Sequence, residues 1–283
     1  MTIAVTGASG QLGRLTVDEL LAAGTPADQI IAIVRDPAKI TDLAEQGVVV
    51  RQADYSDPDA WPAALQGVDQ LLLVSISGPG ASEAHRNVID AAAQVGVGRI
   101  AYTSIVNADS SSHPLAPEHW KTEQLIAASG IPYVIFRNSW YHEVYTYRLP
   151  DYLANGEVVG ATGEGRISGA ARADFAAATA AVLLSEDAES KTYEFGGSPS
   201  FTLAELAHEI SAVTGKTIKH RNVTAEELTA ELEAAGVHPM LIEFGAAGDV
   251  AISKGAMETD STALADLVGR DLIPLADTIR QAL

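Results

Sequence analysis

The eight residues TGASGQLG, Thr6 to Gly13, constrain this chain more than any other stretch. They follow the apolar run IAV and lead into QLGRLTVDELLA, whose apolar residues recur at helical spacing. Gly7, Gly10 and Gly13 therefore stand at a strand-to-helix turn in a G-x-x-G-x-x-G pattern. Such a turn lets backbone N–H groups meet a pyrophosphate at a helix N-terminus, where the peptide dipoles favour an anion. Thr6, Gly7, Ser9, Gly10, Gln11, Leu12 and Gly13 are expected to hold the diphosphate of a dinucleotide. Glycines serving only a tight turn are the alternative.

Short apolar runs separated by helix-like stretches continue through QIIAIVRD, GVVVRQADYSD, DQLLLVSIS, GRIAYTSIV and IPYVIFRN, with one helix expected from about Ser82 to Val95 and another over PLAPEHWKTEQL. Runs of this kind belong to a parallel sheet covered on both faces. The expected fold is α/β, a Rossmann-type doubly wound parallel sheet over residues 1–138, with a smaller C-terminal substrate lobe over 139–283. In that second part SWYHEVYTYRLPDYLANG is aromatic and irregular, ARADFAAATAAVLL reads as a helix and KTYEFGG as a strand, so about 171–197 should pack back onto the sheet. Thr202 with Glu205 and Thr224 with Glu227 have capping-box spacing, and Leu203, Leu206, Ile210 and Val213 form an apolar stripe suited to core packing. A substrate pocket is expected between the two parts.

Composition removes several function classes. The net charge is −19, from 37 Asp+Glu against 18 Lys+Arg, and no basic run could track a phosphate backbone, so nucleic acid is not an expected partner. The absence of cysteine rules out thiolate zinc sites, iron–sulfur clusters and thiol nucleophiles, and no metal is expected. MTIAVTG has no basic leader and no run is long and apolar enough for a membrane span, so the expectation is a soluble cytoplasmic protein.

The end of the second strand separates NAD from NADP. An NAD site would place Asp or Glu there to accept from the ribose hydroxyls; this chain has Arg35, with Lys39 a turn further on. A guanidinium pairs with a 2′-phosphate, so the cofactor is expected to be NADP; a surface arginine at a strand end is the alternative. Asp54, after the third strand, could accept from the adenine amino group, and Ser75 and Ser77, after the fourth, could line the cofactor's path; Asp and Ser are also ordinary turn formers.

TGASGQLG, IVRDPAK, RQADYSD, HRNVIDAA, RIAYTS, EHWKTEQL, FRNSWYHEVY and ARADFAAA together resemble the NmrA-like atypical group of the short-chain dehydrogenase/reductase superfamily along most of the chain. Within it the chain is most similar to the bacterial NADPH-dependent quinone oxidoreductases of the second type, a likeness that extends into GDVAISKG and the C-terminus. Typical superfamily members carry Tyr-x-x-x-Lys on the helix that here begins near PLAPEHWKTEQL, and the matching positions are Leu115 and His119. The tyrosine acid is absent, while Ser104 remains at the end of the fifth strand.

That loss would disable a ketone reductase but not a quinone reductase. Hydride addition to a simple ketone develops an alkoxide, with a conjugate acid near water's pKa of about 15.7, so a positioned donor matters. Hydride addition to a quinone develops a phenolate-like anion, with a conjugate acid near tyrosine's value of about 10, and solvent can protonate it. The resemblance implies NADPH-dependent reduction of quinones to hydroquinones by direct hydride transfer, without flavin or metal. A non-catalytic NADP(H)-binding sensor of the NmrA-like type is the alternative.

The candidate catalytic residues are His119, bonding the nicotinamide ribose with Glu123 on the same face, and Asn138; a helix-surface role is the alternative for His119. By the resemblance the Arg137–Tyr141 segment contacts cofactor and substrate, with Asn138 and Tyr141 at the cofactor and Trp140 and Tyr141 stacking on a flat quinone. Lobe packing is the alternative for both rings. Arg172 is expected to face the cleft as a substrate residue oriented by Asp174, and His85 to be structural. The partner is a small-molecule quinone, in a chain that forms a homodimer or acts alone.

Overall fold

Apolar runs become parallel strands here because helices cover both faces of the sheet they form. The structure, a computed structural model, describes residues 1–185, 187 and 189–283. Its first half runs β1 (Ile3–Thr6), α1 (Gln11–Ala22), β2 (Ile30–Val34), α2 (Thr41–Glu45), β3 (Val49–Gln52), α3 (Trp61–Ala64), β4 (Gln70–Leu73), α4 (Ala81–Val95), β5 (Arg99–Ile105), α5 (Ala116–Ala128) and β6 (Tyr133–Asn138). The second half runs α6 (His142–Thr146), α7 (Leu149–Asn155), β7 (Glu157–Gly160), α8 (Arg172–Leu183), β8 (Lys191–Phe195), α9 (Leu203–Thr214), β9 (Lys219–Asn222), α10 (Ala225–Ala234), α11 (Pro239–Ile252), α12 (Ala263–Val268) and α13 (Leu275–Gln281).

The main sheet has the order β3-β2-β1-β4-β5-β6-β8, and every neighbouring pair is parallel. This is the expected doubly wound Rossmann order with one strand added: β8 pairs with β6 from Val134↔Lys191 to Asn138↔Phe195. The order reverses between β1 and β4, and the connections that leave in opposite directions open a crevice at the carboxyl ends of those strands. β7 and β9 form a separate two-stranded parallel sheet.

Alternation along β1 sends Ile3 and Val5 to one face, against Val17 and Leu20 of α1 and Phe175 of α8, and Ala4 to the other, near Trp61, Val88, Ile89 and Ile126 of α3, α4 and α5. Each fully buried aliphatic or Phe side chain contributes about 1.5–3 kcal/mol of transfer free energy, so the two faces anchor the crevice rigidly. A third core joins Ile105 and Val106, at the carboxyl end of β5, to Tyr145, Tyr152, Phe201, Leu206 and Ile210. The second half is thereby seated over the end of the sheet where the crevice opens. Both capping boxes form: Thr202 Oγ1 accepts from Glu205 N and Glu205 Oε2 from Thr202 N (3.1 and 2.8 Å), and Thr224 with Glu227 does the same (3.2 and 2.8 Å). No described helix is long and apolar enough to cross a membrane.

Candidate active site

The glycine loop folds on itself before α1 begins. Gly7 has φ +59°, a left-handed conformation that favours glycine, and its carbonyl accepts from Gly10 N at 2.8 Å. A β-carbon at Gly13 would stand 2.5 Å from Gly7 O and 2.9 Å from Gly7 C, whereas one at Gly10 would stand 3.1 Å from Gly7 O. Gly13 therefore allows α1 to lie against its own loop, and Gly10 sits at the exposed tip with Ser9 and Gln11. No side chain caps the start of α1 and no acidic residue lies in its first turn, so its N–H groups are open to an anion.

Two loop residues point elsewhere. Leu12 is buried in the core beneath α1, leaving only its backbone for a ligand. Thr6, expected beside the cofactor, is wholly buried: its hydroxyl donates to Leu72 O (3.3 Å), accepts from Val74 N (2.9 Å) and lies 2.6 Å from the Tyr55 hydroxyl, itself 2.6 Å from Val74 O. The side chain is consumed in clasping β1 to β4 under the crevice. Tyr55, which lines the crevice, was not legible in the sequence, because nothing local marks the tyrosine after β3 as reaching two strands away.

Arg35, Lys39 and Asp54 converge with Gly7, Ser9 and Ile76 on the β2 side of the crevice. The Arg35 side chain is 79% exposed and its Nε is 3.9 Å from Asp54 Oδ2, so the guanidinium is extended and not committed to a tight pair. Asp54 Oδ1 accepts from Ser56 N (2.9 Å) and Ser56 Oγ (2.8 Å); these bonds, with Arg35 adding, hold its carboxyl below the usual range. Oδ2 remains for a donor. Ser75 N donates to Thr103 Oγ1 (2.8 Å) and the Thr103 hydroxyl to Ser75 Oγ (3.2 Å), while Ser77 is exposed at the mouth of a second cavity.

That cavity, about 250 Å³, lies among the loop after β4, the starts of α4 and α5, and Phe244 of α11, and His119 lines it beside Leu115 and Tyr102. His119 is buried rather than on the helix surface, and its Nδ1 is 2.9 Å from the Tyr102 hydroxyl. His85 also lines this cavity, with both ring nitrogens engaged: Nε2 accepts from Ile76 N (3.1 Å) and Nδ1 meets Thr122 Oγ1 (3.0 Å), which donates to Glu118 O (2.8 Å).

Glu123, one turn on and buried on the same face of α5 as His119, is taken up by the scaffold: it receives Arg137 Nε (3.0 Å) and NH2 (2.7 Å) and the Ser104 hydroxyl (2.5 Å). Arg137 reaches on to Glu194 (2.9 Å) and Asp109 (3.1 Å). Ser104 and Arg137 are register partners on β5 and β6, so both meet the same carboxylate beneath α5. Ser104, expected at the cofactor, is thus bound inside an ionic cluster.

Asn138, next along β6, points to the opposite face. It is buried, its Nδ2 donates to the Tyr141 hydroxyl (3.3 Å), and its Oδ1 has no partner, an orphan acceptor of the kind a ligand N–H would satisfy. Tyr141 packs edge-on against Phe175 (5.1 Å), and the buried Arg172 guanidinium lies 4.6 Å over the Tyr141 ring. Asp174 does not orient Arg172: its carboxylate takes Arg270 (2.7 Å) and Ile273 N (2.8 Å), tying the C-terminal segment to α8. Glu143 instead accepts Arg172 N (3.0 Å), and Tyr147 accepts its NH1 at 3.4 Å. Trp140 packs on the third core and edge-on to His113 (5.2 Å).

The uncapped α1, the extended and exposed Arg35 and the orphan Asn138 acceptor all suit a dinucleotide laid across the carboxyl ends of the strands. Residues 7–186 match the NAD(P)H-binding family, and the chain belongs to it. Among individual relatives, it is 45% identical to quinone oxidoreductase 2 of Escherichia coli (strain K12), over 98% of this chain and 97% of that protein. The crystal structure of the Escherichia coli NADPH-dependent quinone oxidoreductase complexed with NADPH superposes with a TM-score of 0.96 at 44% identity, covering 99% of each chain. The Citrobacter sp. triphenylmethane reductase complexed with NADP(H) gives 0.93 at 41% identity over 100% of each chain.

Among the histidines that burial holds below the ordinary imidazole value, His85 lies at about 3 and His113, His119 and His142 at about 4. As pH falls through about 6.5 the unfolded chain takes up these protons and the folded chain does not, so stability rises with pH between roughly 4 and 6.5. Four protons correspond to a slope of up to ~5 kcal/mol per pH unit. Urea denaturation should therefore show a steep loss of stability from pH 6.5 to 5. Constant stability over that interval would mean that these rings titrate freely in the folded chain.

Proposed function

We propose that the chain reduces quinones to hydroquinones with NADPH. The observation that carries this reading is the inner face of α5: where a tyrosine and a lysine serve ketone reduction, Leu115 and a buried, neutral His119 line the cavity. Such a face can supply hydrogen bonds and shape but not the proton an alkoxide requires. The likeness to a quinone oxidoreductase along the whole chain supports it further.

NADPH, when bound, supplies the hydride. The N–H groups of Ser9, Gln11, Leu12 and Gly13 would receive the diphosphate, Arg35 and Lys39 the 2′-phosphate, and Asp54 Oδ2 the adenine amino group. Ser75, Ser77, Asn138 and Tyr141 would line the path toward the nicotinamide, with Asn138 Oδ1 accepting from the carboxamide. On this reading residues 1–138 hold the cofactor and 139–283 supply the substrate side, except where 171–197 join the sheet. Trp140 and Tyr141 would flank a flat ring, and Arg172 would oppose the negative charge that a quinone oxygen gains.

NADPH oxidation should follow addition of benzoquinone-type substrates at neutral pH and stay near background with simple ketones; comparable turnover of both would remove the argument from α5. A charge-assisted hydrogen bond contributes roughly 1.5–3 kcal/mol, so Arg35→Ala should weaken NADPH binding by about ten- to a hundredfold and leave NADH little changed, measured by calorimetry. Equal losses for the two nucleotides would show that Arg35 does not read the 2′-phosphate.

A further inference from the structure

Two histidines flank one buried tyrosine behind the candidate site. The Tyr102 ring lies 5.4 Å from His85 and 5.9 Å from His119, centroid to centroid, and is itself fully buried. For His85 the proton position follows from its partners: Nε2 accepts from the Ile76 backbone N–H, so the ring proton is on Nδ1 and goes to Thr122. For His119 the partner is the Tyr102 phenol, 2.9 Å from Nδ1.

A buried phenol O–H must donate. Among the described residues the Tyr102 hydroxyl meets His119 Nδ1 and the Thr122 hydroxyl, and Thr122 already donates its one proton to Glu118 O and accepts from His85, which leaves His119 as the nearest ring acceptor for the phenol. His119 Nδ1 is then the acceptor. The ring proton sits on Nε2, which has no partner among the described residues, in a side chain that lines the 250 Å³ cavity with Ile76, Ser77, Leu115 and Phe244.

We infer that Tyr102 is a positioning residue that locks His119 as its Nε2–H tautomer, giving the cavity a neutral N–H donor for a ligand oxygen. The oxygen is a ribose hydroxyl of the nucleotide or a carbonyl of the quinone; both present the same acceptor chemistry. Burial keeps the ring neutral, so it offers a hydrogen bond and not an acid. His85, in the opposite tautomer on the other side of the same phenol, plays no part in the cavity's donor set. The ligand assignment rests on the reading of the chain as a quinone reductase, whereas the tautomer does not.

Two measurements test this. In ring-nitrogen NMR of 15N-histidine-labelled protein at pH 7, with the His119 signals assigned by their loss in His119→Gln, the proton should be on Nε2 of His119 and on Nδ1 of His85. In Tyr102→Phe the His119 tautomer should become mixed, and one lost neutral hydrogen bond should cost about three- to tenfold. A rise in the NADPH Kd would identify the ribose as acceptor, and a rise in quinone KM at unchanged NADPH Kd would identify the substrate. An Nδ1–H tautomer of His119 in the wild-type chain would overturn the proposal, as would an unchanged tautomer with unchanged Kd and KM in Tyr102→Phe. If that variant does not fold, the wild-type spectrum still decides. A chain with the assigned tautomers that reduced no quinone would refute the proposed function and leave the lock in place.

Discussion

Helix α5 buries three polar side chains, His119, Thr122 and Glu123, against the sheet, and the rest of the site is organised around their satisfaction. An unpaired buried polar group costs about 1–3 kcal/mol and a charge more, so each needs a partner held by another element. Tyr102 meets His119, His85 meets Thr122, and Ser104 and Arg137 meet Glu123. These contacts fix α5 to α4, β5 and β6 at once. They also divide the helix: the first turn borders the cavity, and the next is closed by an ionic cluster.

The division separates the open crevice from the closed scaffold. The crevice at the reversal of strand order supplies backbone donors from a loop that Gly7 and Gly13 allow to fold tightly, with the Thr6–Tyr55–Val74 clasp as its floor. Beyond it, Asn138 and Arg137, neighbours on β6, face opposite ways: one offers an orphan acceptor beside Tyr141, the other locks the scaffold. The segment after β6 continues into the third core, so the aromatic residues that flank the cleft also hold the second half onto the sheet.

How much of this was legible in the sequence depended on distance along the chain. The glycine turn, the parallel strands, the capping boxes and Arg35 at a strand end are local patterns with fixed periods, and all stand where the residues indicated. The fates of Ser104, Glu123 and Asp174 were not legible, because they depend on register. Ser104 meets Glu123 only because it is the cross-strand neighbour of Arg137, and Asp174 finds Arg270 across 96 residues of sequence. Tyr102 escaped for the same reason. It reads as one more apolar position in RIAYTSIV, and only the packed α5 reveals what its hydroxyl does.

The central claim is that the hydride step proceeds without a proton delivered by the protein. It is tested most directly by comparing quinone turnover in H2O and D2O with NADPH deuterated at the transferred position. The account predicts a primary isotope effect from the nucleotide and nearly equal rates in the two solvents. A solvent effect of about twofold or more on the same step, abolished in His119→Gln, would show that a group on this chain transfers a proton in the transition state and would contradict it.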